Sequence, residues 1–137
     1  MRSDCPLNFG LEIFGDKWSL LIIRDLMFFG KRYFGEFLTS EECISTNILA
    51  ERLAMLEKEK IIKKEKDPSH KQKLIYRLTE KGIDLAPVII SIGLWSEKYA
   101  KRLSPGRGVI LGGAMKNYTK EIAQLKKRLH AEHIERG

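Results

Sequence analysis

The sequence predicts a mainly α-helical domain that carries one small β-hairpin, an α+β arrangement. Apolar residues recur at offsets of three and four on both sides of residues 61–79, whereas residues 61–79 have a strand-like pattern with turn-forming residues at the centre. The length of 137 residues suits one domain with its own core. A hydrophobic fraction of 43% argues against wholesale disorder.

Residues 7–28 are predicted to be helical. From Asp16 onward, four apolar side chains fall on one side of this helix: Trp18, Leu21, Ile22 and Leu26. Asp16 suits the amino end of a helix, where its carboxylate accepts backbone N–H groups and meets the helix dipole. Gly30 ends the run. The stretch "YFGEFLTS" then predicts a short second helix, which the turn "EECIS" follows.

A third helix is predicted to start at Ser45 in "STNILAERLAMLEKEKII", because the serine hydroxyl can accept a backbone N–H of the first turn. One stripe of this helix is apolar and is expected to face the core: Ile48, Leu49, Leu53 and Leu56. The opposite face is shallow and mostly polar: Asn47, Ala50, Glu51, Ala54 and Lys58. A helix that enters a nucleic-acid groove needs such a face, although an ordinary amphipathic surface helix has the same pattern.

The segments "IIKKEKD" and "KLIYRLT" predict the two strands of a hairpin. The second strand alternates Leu74, Tyr76 and Leu78 against Ile75, Arg77 and Thr79. The turn formers Asp67, Pro68 and Ser69 lie between the strands. The candidate phosphate-binding side chains are mostly on this hairpin: Arg32, Lys63, Lys64, Lys66, His70, Lys71 and Lys73. A solvated hairpin without a partner is the alternative.

Thr79 is predicted to cap a long fourth helix that reaches residue 103, in which Pro87 should cause a bend or a break. Its apolar residues surround more of the helix than one small domain can cover, which predicts a partner surface and most simply a second copy of the chain. Residues 1–103 are therefore expected to form the domain, and residues 104–137 a linker and a basic helix. A thin apolar seam on that helix could pack on the domain, on a dimer partner or on nothing: Met115, Ile122, Leu125 and Leu129.

The predicted order of helix, short helix, turn, capped helix, basic hairpin and long helix is that of a winged helix-turn-helix. In such a fold the third helix enters the major groove of double-stranded DNA and reads base edges with its amino-terminal side chains. The candidate readers are Ser45, Thr46, Asn47, Ala50 and Glu51.

The charge distribution favours a polyanionic partner. Residues 1–43 carry 5 basic and 7 acidic side chains, residues 44–82 carry 10 and 6, and residues 83–137 carry 10 and 5. The basic middle and tail of the chain are thus the parts expected to meet phosphates.

Other functional classes have little support in the sequence. No nucleophile motif, paired carboxylates or cofactor motif is found, and "GRGVILGG" follows no predicted strand, so neither an enzyme nor a cofactor is expected. His130 and His133 could form a metal pair, but solvated histidines and no metal site are expected. The apolar runs are too short to span a membrane and no secretory signal is visible, so a cytoplasmic, nucleoid-associated location is expected.

The segments "CPLNFGLEIFGDKWSLLIIRDL", "KRYFGEF", "ISTNILAERLAMLEKEKII", "YRLTEKG" and "LWSEKYA" resemble the HxlR-type transcriptional regulators, bacterial winged-helix proteins related to the MarR group. The resemblance runs from about Cys5 to Tyr99. It implies a DNA-binding regulator, more often a repressor, that acts as a homodimer on a two-fold symmetric operator. It also implies a dimer held by the first and last helices of the core, at Leu7, Phe9, Leu11, Phe14, Ile89, Ile92, Trp95 and Tyr99.

Some members of that family sense electrophiles or oxidants through a cysteine near the amino terminus, and Cys5 stands at that position. The resemblance therefore suggests a thiol response and a small-molecule or electrophile effector, with packing at the dimer interface as the other role for Cys5. Cys43 departs from the family, which commonly places glycine in that turn. It is either a second redox site or a tolerated substitution.

Lys60 also stands where the family places glycine, at the end of the third helix. A left-handed backbone conformation at Lys60 would cost roughly 1 kcal/mol. Arg52 lies near the edge of the buried stripe and is expected to pair with Glu36 or Asp25, with a DNA contact as the minor alternative. For the whole chain, a dimeric winged-helix adaptor that binds proteins and not DNA is the alternative function.

Overall fold

The computed structural model describes residues 3–100 and 118–135. Its helices are α1 (Pro6–Phe14), α2 (Ser19–Phe28), α3 (Phe34–Phe37), α4 (Thr46–Lys58), α5 (Glu80–Ile83), α6 (Ala86–Tyr99) and α7 (Tyr118–His133), and its strands are β1 (Ile62–Asp67) and β2 (His70–Leu78). The predicted linker at residues 104–113, the boundary between residues 103 and 104, Met115 and the side chain of Lys71 lie outside the described part of the chain.

The region predicted as one amino-terminal helix forms two helices, so that prediction is wrong. Asp16 accepts hydrogen bonds at the start of α2 from the backbone nitrogens of Trp18 at 2.7 Å and Ser19 at 2.8 Å. The predicted role of Asp16 at a helix start is therefore confirmed. In one continuous helix, these N–H groups would donate to carbonyl oxygens of α1. Because the Asp16 carboxylate accepts them instead, it also separates the two helices.

The start of α4 is as predicted, since the Ser45 hydroxyl accepts a hydrogen bond from the backbone nitrogen of Ile48 at 3.2 Å. Leu49, Leu53 and Leu56 are buried. Together with the short helix α3, α4 forms the helix-turn-helix unit, and the expected mainly α-helical fold with one hairpin is confirmed.

The hairpin is antiparallel, with Ile62 opposite Leu78. Strand β2 begins at His70, so the turn is shorter than predicted. The pairing places Leu74, Tyr76 and Leu78 on one face, as the predicted alternation requires. Burial does not follow the alternation near the tip, where Leu74 is 44% exposed and Ile75 only 6%, and the register shifts between Lys66 and Asp67.

The predicted long fourth helix is also divided. Thr79 caps only the short helix α5, where its hydroxyl accepts a hydrogen bond from the backbone nitrogen of Gly82 at 3.2 Å. Helix α6 begins at Ala86 with Pro87 in its first turn, where the N–H that proline lacks has no helical partner. The break expected at Pro87 is confirmed, whereas the single continuous helix is wrong.

The core lies between α2, α4, the hairpin and α7. Its least exposed side chains include Ile23, Leu26, Leu49, Leu56, Leu78 and Leu129. Leu129 belongs to α7, and Ile122 of the same helix packs with Ile90 of α6. The carboxy-terminal seam therefore packs on the domain, which decides between the three placements that the sequence left open. In the described ranges, every helix is too short or too polar to cross a lipid bilayer.

Candidate nucleic-acid interface

The amino-terminal end of α4 is an exposed and nearly uncharged surface. All five candidate readers are exposed there: Ser45, Thr46, Asn47, Ala50 and Glu51. The oxygen of Ser45 accepts the capping hydrogen bond, which leaves its O–H free to donate. The Glu51 carboxylate lies 3.6 Å from a guanidinium nitrogen of Arg52. This surface can offer amide, hydroxyl and carboxylate groups to base edges.

The turn before α4 is fixed by a buried arginine that the sequence analysis did not single out. Arg24 donates to both carboxylate oxygens of Glu42, at 2.8 and 2.9 Å, and to Asp25 at 2.8 and 3.1 Å. The hydrogen bonds from Arg24 lower the pKa of Glu42 to about 2. Since Glu42 lies in the turn and Arg24 in α2, this pair sets where α4 begins. The signal was available, because Arg24 and Asp25 are opposite charges inside the apolar run "LLIIRDLMF".

Arg52 contacts Asp16 at the start of α2, and not Glu36 or Asp25, which were the expected partners. Its Nε lies 3.5 Å from Oδ1 of Asp16, which agrees with the expected structural role. Asp25 pairs with Arg24 instead. The Glu36 carboxylate accepts backbone N–H groups of Arg32 and Tyr33, at 2.8 and 3.0 Å.

The predicted cations of the wing, the hairpin formed by β1 and β2, lie on two faces. Residues paired across antiparallel strands share a face and alternate along each strand. Lys64 and Lys66 share the face that packs on α4, where Lys64 Nζ is 3.7 Å from Glu57. Lys63 is opposite Arg77 and belongs to the other face. Lys66, His70 and Lys73 are exposed, and Lys73 Nζ lies 5.2 Å from the centre of the Tyr33 ring.

Arg32 does not belong with these candidate phosphate contacts. Its Nη1 donates to the carbonyl oxygens of Leu26 at 3.0 Å and Lys31 at 2.8 Å, and its Nη2 lies 3.8 Å from Glu132. Its side chain is only 14% exposed. The prediction is corrected because the guanidinium is already engaged in fastening the end of α2 to α7.

The tip of the wing is attached to the helix-turn-helix unit by Asp67. This carboxylate, 5% exposed as a residue, accepts hydrogen bonds from the Tyr33 hydroxyl and from the backbone nitrogen of Ser69 at 2.9 Å. The Tyr33 hydrogen bond is the main cause that lowers the pKa of Asp67 to about 2. The sequence identified Asp67 only as a turn former. Tyr33 directly precedes α3, so the wing contacts both helices of the unit.

An apolar surface lies on α1 and α6. Six of the eight predicted dimer residues are half or more exposed: Leu7, Phe9, Leu11, Ile92, Trp95 and Tyr99. Phe14 is half-buried. Ile89 is 6% exposed and belongs to the core, so its assignment to the surface is corrected. It lies about 120° around α6 from Trp95, six residues on, and is turned toward the core.

Both cysteines are exposed free thiols. Cys5 immediately precedes α1, and Cys43 lies in the turn before α4 with its sulfur 3.3 Å from the Glu41 carbonyl oxygen.

The expectation of solvated histidines is wrong for His133, which is fully buried. Its Nδ1 accepts a hydrogen bond from the backbone nitrogen of Leu78 at 3.0 Å. His130 instead lies between two carboxylates, 2.7 Å from Glu80 and 2.7 Å from Glu135. Among the described residues, no three potential ligands form a metal-binding group.

Comparison with known proteins gives consistent matches over most of the chain. A family model described as HxlR-like helix-turn-helix matches residues 13–104. The HTH-type transcriptional regulator YodB of Bacillus subtilis (strain 168) is 36% identical over 98 residues, 71% of this chain and 87% of that protein. The uncharacterized HTH-type transcriptional regulator YdeP of the same strain is 35% identical over 99 residues, 72% and 77% of the two chains.

Solved structures give the same result. The putative transcription factor PA1607 is 39% identical with a TM-score of 0.66, over 72% of this chain and 67% of that one. The reduced form of YodB from B. subtilis is 31% identical with a TM-score of 0.60, over 74% of this chain and 100% of that one. YodB has also been solved diamide-treated and quinone-bound. The family match ends at residue 104, before α7.

Proposed function

The chain belongs to the HxlR-like helix-turn-helix family, and on this premise we propose that it is a repressor that binds a two-fold symmetric DNA operator as a homodimer. The family and the relatives are transcriptional regulators, and the chain is not an enzyme. The observation that carries the proposal is the exposed, capped amino-terminal end of α4. The Arg24–Glu42 pair fixes the turn that leads into it.

Asn47 is the proposed base reader on this surface. Its exposed amide can donate and accept at once, which is the pairing that adenine offers in the major groove. The neighbouring Ala50 is small and exposed, so it leaves room for a base edge next to the amide. The exposed Lys66 and Lys73 would supply phosphate contacts, whose strength falls with salt and does not depend on sequence.

The test is a gel shift with DNA from upstream of the chain's own gene and with a scrambled duplex of equal length. We expect Asn47→Ala to weaken operator binding by about tenfold, since a good base contact contributes roughly 1–3 kcal/mol, and to leave scrambled DNA unaffected. Gln124→Ala removes an exposed amide from α7 and serves as the control. An equal loss on both duplexes would refute the assignment of Asn47. Wild-type protein that does not prefer the operator would support a protein-binding adaptor instead.

A thiol response is the second part of the proposal. Cys5 is exposed and lies two residues before Leu7 of the apolar surface, so modification there would act on the dimer. Cys43 is exposed in the turn before α4, where modification would act on the reading surface. Relatives of the chain include YodB solved with quinone and the redox regulator HypR solved in its oxidised form.

The thiol response is tested by the same gel shift before and after diamide, which oxidises pairs of thiols to disulfides. We expect diamide to release operator DNA from the wild-type chain and Cys5→Ser to abolish most of this release. Cys43→Ser is the matched comparison, because it removes the other exposed thiol. Release that persists when both cysteines are serine would disprove thiol control.

A further inference from the structure

Helix α7 is fastened at its carboxy-terminal end to the base of the wing. His133 Nδ1 accepts a hydrogen bond from the backbone nitrogen of Leu78 at 3.0 Å, and Arg77 donates to the Glu132 carbonyl oxygen at 3.2 Å. Arg77 and Leu78 are the last two residues of β2. A cationic side chain on the last carbonyl groups of a helix is a favourable arrangement. Both bonds therefore join α7 to the same end of the same strand.

His133 takes the place of a missing third strand. A two-stranded ribbon leaves every second N–H of each strand pointing away from its neighbour. On the outer edge of β2, Tyr76 N donates to the Arg32 carbonyl oxygen at 2.7 Å, and Leu78 N, two residues later, donates to His133. Leu78 and His133 are both 0% exposed. Without the imidazole, this buried N–H would lack an acceptor.

The imidazole is held in the neutral form that this bond requires. Burial lowers the pKa of His133 to about 3, and the positive charge of the neighbouring Arg32 acts in the same direction. Nδ1 is therefore an unprotonated acceptor at neutral pH.

The other end of α7 contacts the helix that carries the dimer surface. Ile122 packs with Ile90 of α6, and the Tyr118 hydroxyl lies 3.1 Å from that of Ser91 on the same helix. Trp95 and Tyr99 of the apolar surface follow on α6. Eleven residues separate Ile122 from His133, or about 16 Å at 1.5 Å per residue. One straight helix thus connects the proposed dimer helix to the base of the wing.

We propose that α7 positions the wing relative to the dimer axis and that His133 is the positioning residue. The inference rests on the proposed DNA binding and adds an element that lies outside the family match at residues 13–104. A two-stranded ribbon by itself is only marginally stable, so the position of the wing depends on what holds its two ends. Asp67 holds the tip on the helix-turn-helix unit, and α7 holds the base. When α7 fixes the base of the ribbon, the lysines of each wing keep a constant distance from the reading surface on α4 of the same protomer.

The test compares His133→Leu with His133→Asn. Leucine fills part of the site but has no acceptor, whereas the asparagine Oδ1 stands at the same number of bonds from Cα as the imidazole Nδ1. In the free protein, we expect His133→Leu to speed amide hydrogen exchange at Leu78 and along the wing by about tenfold or more, relative to core amides such as Ile23. Operator affinity should fall by about tenfold, and His133→Asn should restore both readouts to near wild type.

Ile122→Ala is the control for a general loss of stability, because it removes core packing from the same helix and keeps the acceptor for Leu78. Wing exchange that changes no more in His133→Leu than in Ile122→Ala, or that asparagine does not restore, would overturn the inference. Wild-type protein that fails to prefer its operator would overturn the proposed function separately, since the exchange rates need no DNA.

Discussion

Cys43 and Lys60 both have the left-handed backbone conformation that glycine adopts most easily, each with φ of 61°. Cys43 lies in the turn before α4, and Lys60 directly follows Glu59, the residue that caps the carboxy-terminal end of α4. At both positions the family resemblance leads one to expect glycine, and for Lys60 this conformation was anticipated from the sequence. Both turns therefore have left-handed geometry at a residue that is not glycine. Each replacement is expected to cost roughly 1 kcal/mol.

Lys60→Gly should therefore stabilise the protein. We expect the free energy of unfolding to rise by about 1 kcal/mol, because relief of the left-handed strain exceeds the added entropy of glycine in the unfolded chain. Urea denaturation followed by circular dichroism measures the change. Lys58→Gly is the control, since Lys58 is helical and exposed at the end of α4, and glycine there should lower stability. A Lys60→Gly variant no more stable than the wild type would contradict the strain argument.

Local contacts of single residues were predictable from the sequence, whereas distant ones were not. The caps formed by Ser45 and Thr79 act on backbone groups three residues away, so the residue type and its position were sufficient. The partner of Arg52 depended on which helices meet, and Asp25 was already engaged by Arg24. Charged partners are set by tertiary packing, which a pattern along one helix does not contain.

Helices α1 and α2 show why the predicted elements were right in type and wrong in extent. Apolar periodicity continues through residues 7–28, yet the Asp16 carboxylate accepts N–H groups at 2.7 and 2.8 Å and starts a new helix. Pro87 has the same effect at the start of α6. A carboxylate that accepts backbone N–H groups, or a proline that has no N–H, thus divides a helix even where the apolar stripe is continuous.

The three seam residues that were predicted in the described part of α7 do pack inward, and His133 joins them. Ile122, Leu125 and Leu129 are separated by three and four residues, and a further step of four reaches His133. The polarity of histidine predicts a solvated ring, whereas the spacing of His133 places it on the buried side. The spacing predicts the burial of this ring correctly, because the ring accepts a hydrogen bond from the backbone nitrogen of Leu78.

His130 should make the attachment of α7 to α5 dependent on pH. Hydrogen bonds to Glu80 and then to Glu135 raise the pKa of His130, so the folded state favours the charged ring. Because the pKa of His130 is higher in the folded state, the charged ring contributes fully to stability below the unfolded-state pKa near 6.5. This contribution is lost as the pH rises through the folded-state pKa. We therefore expect His130→Gln to lower the stability of the protein at pH 5.5 and to have little effect at pH 9, as measured by urea denaturation.

Lys126→Gln is the control for this prediction, since it removes a second contact near α5, in which Lys126 Nζ lies 3.2 Å from Asp84, and leaves both histidines in place. Its effect should differ much less between the two pH values than that of His130→Gln. The stabilities of the variants must be compared with one another at each pH, because the protonation of His133 changes the stability of every one of them in the opposite direction. Its pKa is lowered to about 3 by burial, with Arg32, Arg77 and Lys63 nearby, so stability is lost as pH falls below 6.5. An equal effect of His130→Gln at both pH values would disprove the role of the charged ring.

Across the described residues, the fold leaves an apolar surface on α1 and α6 exposed. Leu7 at 69%, Trp95 at 67% and Tyr99 at 64% are the most exposed of the large apolar side chains in the described ranges. The sequence predicted this surplus from the breadth of the apolar face on α6, and of the four dimer residues predicted on that helix the structure places Ile89 in the core. A two-fold interface that joins two such surfaces would also set the spacing of the two α4 helices along DNA.

Trp95→Glu should therefore separate the proposed dimer. In a two-fold interface each substitution occurs twice, so the loss of about 2 kcal/mol of burial per tryptophan weakens association by about a thousandfold. Sedimentation equilibrium measures the effect. Leu74→Glu makes a comparable change at an exposed apolar residue on the wing and should leave the dimer intact. Operator affinity should fall with Trp95→Glu because two half-sites are no longer bound together, and a variant that remains dimeric would place the interface elsewhere on the chain.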